Sequence, residues 1–260
     1  MAHHAHDHDF HIPTGSIWPP LSCLGAGLMA FSFITQHHFH PLAGTIGMGL
    51  GLLLLLVGMF KWFGILIQES RARGFTQVPR VLELANRYGM IFFIASEVMF
   101  FAAFFAAFFS LRAFANVWPP ENIEILPLDL PVINTLLLLT SGATITWAHY
   151  ALYQNDRMTL KFATLLTVIL GAIFLVFQGY EYSHAAFAFS DGVYGSAFYM
   201  LTGFHGFHVF VGAAMLLALY LRLRHGDFNA KQHFYFEGAA WYWHFVDVVW
   251  LGLFLFVYLL

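Results

Sequence analysis

Trp241-Tyr242-Trp243-His244-Phe245-Val246-Asp247-Val248-Val249-Trp250 lies within an apolar stretch that runs on to Leu260. A bilayer crossing takes about 20 mostly apolar residues at 1.5 Å rise each, and this stretch is long enough. Yet it holds an imidazole and a carboxylate. A charged side chain at mid-bilayer costs roughly 2.5–3.5 kcal/mol on insertion scales. His244 and Asp247 are three residues apart, so a helix places them on one face. A neighbouring helix, water, a lipid headgroup or a binding site must offset that cost.

Working outward, six more stretches have the same character. The spans read as roughly 16–36, 43–68, 86–112, 131–154, 160–185, 194–222 and 236–260. The chain of 260 residues is 60% hydrophobic and 10% charged. Soluble domains carry about 25% charged residues. The fold class is therefore an all-α integral membrane protein with seven transmembrane helices. Basic residues cluster after the second span (Arg71, Arg73, Arg80, Arg87), the fourth (Arg157, Lys161) and the sixth (Arg222, Arg224, Lys231). The loop after the third span is acidic, with Glu121, Glu124 and Asp129. Basic loops stay inside, which puts the N-terminus inside and the C-terminus outside. The chain divides into a His-rich tail over 1–15, two helices over 16–68, a cytoplasmic-side loop over 69–85 and a five-helix bundle over 86–260.

Composition excludes several classes. The net charge of −3 is uninformative, and nothing basic enough for nucleic acid appears. The lone cysteine, Cys23, excludes an intrachain disulfide and a Cys-rich metal site. No phosphate-binding loop, dinucleotide fingerprint or Cys-x-x-Cys-His haem attachment occurs. No secretory signal is expected, because no basic residue precedes the first apolar run. The tail carries His3, His4, His6, His8 and His11, which reads as a solvated segment.

The chemistry must sit among the few polar groups inside the spans. Glu97 lies ten residues beyond Arg87, about 15 Å deeper at helical rise. It reads as a buried carboxylate, either proton-linked or hydrogen-bonded across a helix interface. His205 and His208 share a helix face in Gly203-Phe204-His205-Gly206-Phe207-His208, and the glycines admit a close neighbour. Packed, hydrogen-bonded histidines are the reading here, ahead of a metal pair. His149, Glu181, His184 and Glu237 lie toward span ends. Lys61 and Trp62, near the inner end of the second span, suit interfacial anchoring. With Arg71 and Arg73 they are candidates for lipid headgroups.

The same segments closely resemble subunit III of haem–copper cytochrome c oxidase, from Trp18-Pro19 onward. The match runs through Arg87-Tyr88-Gly89-Met90, Ser96-Glu97, Trp118-Pro119-Pro120, Pro131-Val132-Ile133-Asn134-Thr135, Ser141-Gly142-Ala143-Thr144, Thr146-Trp147-Ala148-His149, Ser190 to Ser196, Gly203 to Val209 and Ala240 to Trp250. The resemblance implies a non-catalytic core subunit with no redox centre and no metal of its own. Haem a and copper belong to subunits I and II, and cytochrome c is the substrate of the complex. Such a subunit is expected to sustain proton uptake into subunit I, to protect the enzyme during turnover and to hold phospholipids. The lipids occupy a V-shaped cleft between the two-helix and five-helix bundles. By the same resemblance Glu97 is the family's buried, carbodiimide-reactive carboxylate. His149, His205, His208, His244 and Asp247 form an interior polar cluster. A respiratory supercomplex is a further assembly to consider.

The chain also departs from the family pattern. Ile65 and Gln68 stand where an Asp and an Arg are usual, and Tyr150 replaces a second His. The headgroup contact at Gln68 is therefore in question, with Lys61 or Arg71 as substitutes. Three other readings remain: the matching subunit of a quinol oxidase, an independent proton or ion transporter using Glu97, His205 and Asp247, and a membrane metalloenzyme using His205 and His208. The expected location is a bacterial plasma membrane, ahead of the mitochondrial inner membrane.

Overall fold

The computed structural model describes residues 15–72, 80–120, 123, 127–228 and 233–260. All seven expected spans are helices: α1 (Trp18–His38), α2 (Pro41–Ala72), α3 (Arg80–Phe114), α4 (Asp129–Tyr153), α5 (Arg157–His184), α6 (Gly192–Arg224) and α7 (Phe234–Leu253). α7 passes into a π-helical turn over Phe254–Leu259. All seven are long and apolar enough to cross a membrane. Among the described residues there is no strand. The histidines of the N-terminal tail, Arg73, Glu121, Glu124 and Lys231 lie outside the described residues.

The segment read as a loop over 69–85 is shorter than expected. α2 continues to Ala72 and α3 begins at Arg80. Hydropathy marks only the apolar part of a helix. Polar turns extend it further where side-chain pairs support them, as Glu83 and Arg87 do at 3.1 Å, four residues apart.

The chain divides between Leu82 and Glu83 into two compact units. In the first, α1 and α2 are joined by small residues. Gly44, Gly51 and Gly58 recur every seven residues and so share a face of α2. Facing them, Ser22, Gly25 and Ser32 are the buried residues of α1. A Cβ placed on Gly25 would stand 2.7 Å from Leu55 N and 2.8 Å from Gly51 O. Only glycine permits that backbone approach. Without water to exclude, helices in lipid associate through such close packing. Pro19 and Pro20 sit in the first turn of α1, where the missing N–H groups have no helical partner.

The second unit is built around α7. Buried residues of α4 recur as Pro131, Asn134, Leu138, Ser141, Ile145, Ala148 and Leu152, a helical stripe. Trp243 fills the centre, fully buried. Its ring lies between Gly171 of α5 and Gly212 of α6, where added Cβ atoms would stand 2.6 Å and 2.8 Å from the indole. Its Nε1–H donates to Ser141 Oγ of α4 at 2.8 Å. About two turns along, Trp250 Nε1–H donates to Thr135 Oγ1 at 2.9 Å. Thr144 and Thr167 join α4 to α5 at 2.8 Å. The α4–α5 turn closes through Asn155 in the left-handed region (φ 56°), a conformation Asn tolerates better than most residues. Asp156 then caps α5, accepting from Met158 N and Thr159 N at 3.1 Å each.

Candidate functional site

Glu97 of α3 and His208 of α6 meet inside the span, with Oε2 and Nε2 3.0 Å apart. Their side chains are 22% and 7% exposed. His208 Nδ1 lies 2.7 Å from the Phe204 carbonyl oxygen. A carbonyl only accepts, so Nδ1 carries a proton and Nε2 faces the carboxyl group. Two states satisfy this contact. Either a neutral acid donates to a neutral imidazole, or an imidazolium donates to a carboxylate. In both, a single proton lies between the two residues. Phe101, edge-on to His208 with ring centroids 5.0 Å apart, encloses the pair. Sequence reading placed each partner separately, but their meeting across two helices has no local signal.

The five residues expected as one interior polar cluster fall in four places. His208 pairs with Glu97. His205 is fully buried, with neither ring nitrogen hydrogen-bonded within the chain. It packs against Trp250 and Phe174, at 5.2 Å and 5.9 Å between ring centroids. His244 Nε2 lies 3.2 Å from Thr146 Oγ1, and its Nδ1 lies 4.0 Å from Asp247 Oδ2. The Asp247 carboxylate packs against Gly142, where any side chain would collide with it. His149 lies apart from these, beside the start of α7. Helical rise is the reason: Glu237, near His149, and Asp247 are about 15 Å apart along α7.

That fourth place gathers residues that sequence reading did not connect. His233 precedes α7 and Glu237 is in its first turn, four residues on. His233 Nε2 is 3.2 Å from Glu237 Oε1 and 3.2 Å from Tyr153 OH. Arg87 donates through Nε to Glu237 Oε2 and through its terminal nitrogen to Oε1, both at 3.0 Å. This two-pronged contact ties α3 to α7. The four-residue spacing of His233 and Glu237 was the available signal, and Tyr153 had none.

Two apolar recesses, of about 650 and 440 Å³, adjoin between α3, α6 and the segment around Trp118, sharing Ala107, Leu111 and Val193. Of the lipid candidates, Lys61 is exposed and Trp62 half-buried, stacked on Phe63 at 5.7 Å. Arg71 is exposed in the last turn of α2. It lies about 15 Å along the helix from Lys61, so the two address different depths.

Fold and site together define a polytopic membrane protein that keeps a hydrogen-bonded acid–imidazole pair within its spans. Its sequence matches the family model for cytochrome c oxidase subunit III over residues 8–260. It is 46% identical over 257 residues to cytochrome c oxidase subunit 3 of Marchantia polymorpha, covering 96% of each chain. It is 44% identical to that of Arabidopsis thaliana, covering 96% of each chain. It is 42% identical to that of Rattus norvegicus, covering 96% of this chain and 97% of the other. The chain belongs to the cytochrome c oxidase subunit III family.

Proposed function

We propose that this chain is the non-catalytic third core subunit of a haem–copper cytochrome c oxidase, flanking subunit I. Whole-length identity with subunits of that name carries the reading. It disfavours the quinol oxidase, transporter and metalloenzyme alternatives. Haem a and copper reside in the partner subunits, where oxygen is reduced with electrons from cytochrome c and protons are pumped. This chain sustains proton uptake into subunit I, and a respiratory supercomplex is its wider setting. Phospholipid headgroups bind at Lys61, Trp62 and Arg71 of α2, while Arg73 lies outside the described residues. Acyl chains suit the apolar recesses beside Trp118.

Glu97 and His208 tune proton supply and do not carry electrons. Glu97→Gln leaves the haem spectrum intact and changes turnover modestly. Loss of the haem bands in that variant defeats the assignment. Relatives from plants and animals give the bacterial plasma membrane no support and fit a mitochondrial inner membrane.

The decisive experiment is purification through a tag on this chain in gentle detergent, followed by a reduced-minus-oxidised spectrum and subunit identification. Haem a and two larger subunits co-purify if the proposal holds. A lone colourless chain that moves protons in liposomes overturns it.

A further inference from the structure

The gathering of His149, His233 and Glu237 offers more than a structural contact. One ligand atom from each lies within 4.8 Å of the others. We propose that these three residues form a divalent-cation site on this chain, suited to zinc(II). Two imidazole nitrogens and one carboxylate oxygen make a zinc donor set that leaves a fourth position for water. The absence of thiolate from the set disfavours copper(I), and a single carboxylate is too few oxygens for calcium.

Three observations support the assignment. His149 Nε2 is enclosed by the protein and has no hydrogen-bond partner within the chain. Leaving a buried polar atom unmet is costly, and a metal bond would meet it. Helical spacing presets the other two ligands, since His233 and Glu237 are four residues apart and already 3.2 Å from each other. Ligands in a tetrahedral zinc site are roughly 3.4 Å apart for bonds near 2.05 Å, so these two need little movement. Lastly, Arg87 orients the carboxylate through two hydrogen bonds at 3.0 Å, one to each oxygen. Metal ligands are commonly held this way by outer partners. Tyr153 OH, 3.2 Å from His233 Nε2, is placed to hold the metal-bound water. Zinc here fastens α4 to α7 and, through Arg87, to α3.

The test uses the purified complex, with His3, His4, His6, His8 and His11 replaced by Gln so that the tail cannot bind metal. After stripping with chelator, the complex is titrated with zinc sulfate alone. Retained zinc is counted by mass spectrometry, and its surroundings are read by X-ray absorption at the zinc edge. The expected result is one zinc more per complex than in the His149→Phe variant, with imidazole scattering in an all-nitrogen-and-oxygen shell. His149→Phe keeps the ring packing against Phe236 and Tyr153, so folding is protected. Arg87→Gln should weaken zinc affinity about 10–100-fold, as outer-partner losses do. Equal zinc in the parent and His149→Phe overturns the proposal. So does an edge spectrum without imidazole, which needs no further variant.

Discussion

Ser22, Gly25 and Ser32 hold α1 to α2 through small side chains and touching backbones. Trp243 and Trp250 hold α7 to α4 through indole hydrogen bonds across a packed aromatic core. In the first unit most large side chains point outward, and Phe31, Phe39 and Phe60 are 69%, 78% and 79% exposed. In the second, Trp243, Trp250, Phe174, Phe198 and Phe236 point inward and are fully buried. Lipid tails are as apolar as leucine, so neither pairing draws on water exclusion. One relies on how little stands between two backbones. The other relies on shape and on polar atoms that have no other partner. The first fails when anything is added, and the second when anything is removed.

Substitutions separate the two modes. The largest effect is expected for Trp243→Ala, which opens a cavity at the centre of the second unit. Core Trp-to-Ala changes cost about 3–5 kcal/mol, and thermal unfolding of the detergent-solubilised protein should show it. A loss no greater than that of a lipid-facing Phe→Ala control would break the comparison. Next is Gly25→Leu, where added bulk meets the backbone of α2. Overpacking costs about 1–3 kcal/mol, and cysteines placed on α1 and α2 should lose their cross-link. Retention of that cross-link would show that the backbones need not touch. Ser141→Ala should cost less, about 0.6–1.7 kcal/mol, because it removes one interhelical hydrogen bond and leaves Trp243 packed. Indole fluorescence and melting together distinguish this loss from a packing loss.

The smallest effect belongs to the α5 cap. The Asp156 carboxyl lies below its usual value of 3.8, chiefly because the Thr159 hydroxyl donates to it, with backbone N–H groups adding to the effect. A lowered carboxylate stabilises the fold fully above the usual value and loses that contribution as pH falls through the lowered one. The melting difference between the parent and Asp156→Asn should therefore shrink as pH falls through and below the usual carboxylate range. A difference constant with pH would remove the charge from the account.

Much of this is legible in the sequence alone. Apolar runs placed all seven helices because the bilayer sets their length, and α1 and α4 start and stop within about two residues of the reading. α2 and α3 overran it, since charged turns such as Glu83 to Arg87 are invisible to hydropathy. The polar groups were individually visible because carboxylates and imidazoles are rare in such helices. Their partners were not. Glu97 and His208 are 111 residues apart, and Arg87 and Glu237 are 150 apart. Only the packing of α3 against α6 and α7 decides those meetings. Reading His149 into one group with Asp247 failed because sequence carries no common scale of depth for different helices.

The bond from His208 Nδ1 to the Phe204 carbonyl gives the Glu97 pair a character that residue types alone do not. An imidazole passes protons onward by taking one at one nitrogen and releasing one at the other. Here the second nitrogen is tied to a backbone oxygen that cannot receive a proton. The ring is a cul-de-sac: what enters from Glu97 must leave by the same door. The geometry leaves the ring one nitrogen facing a partner that can exchange a proton and one facing a partner that cannot.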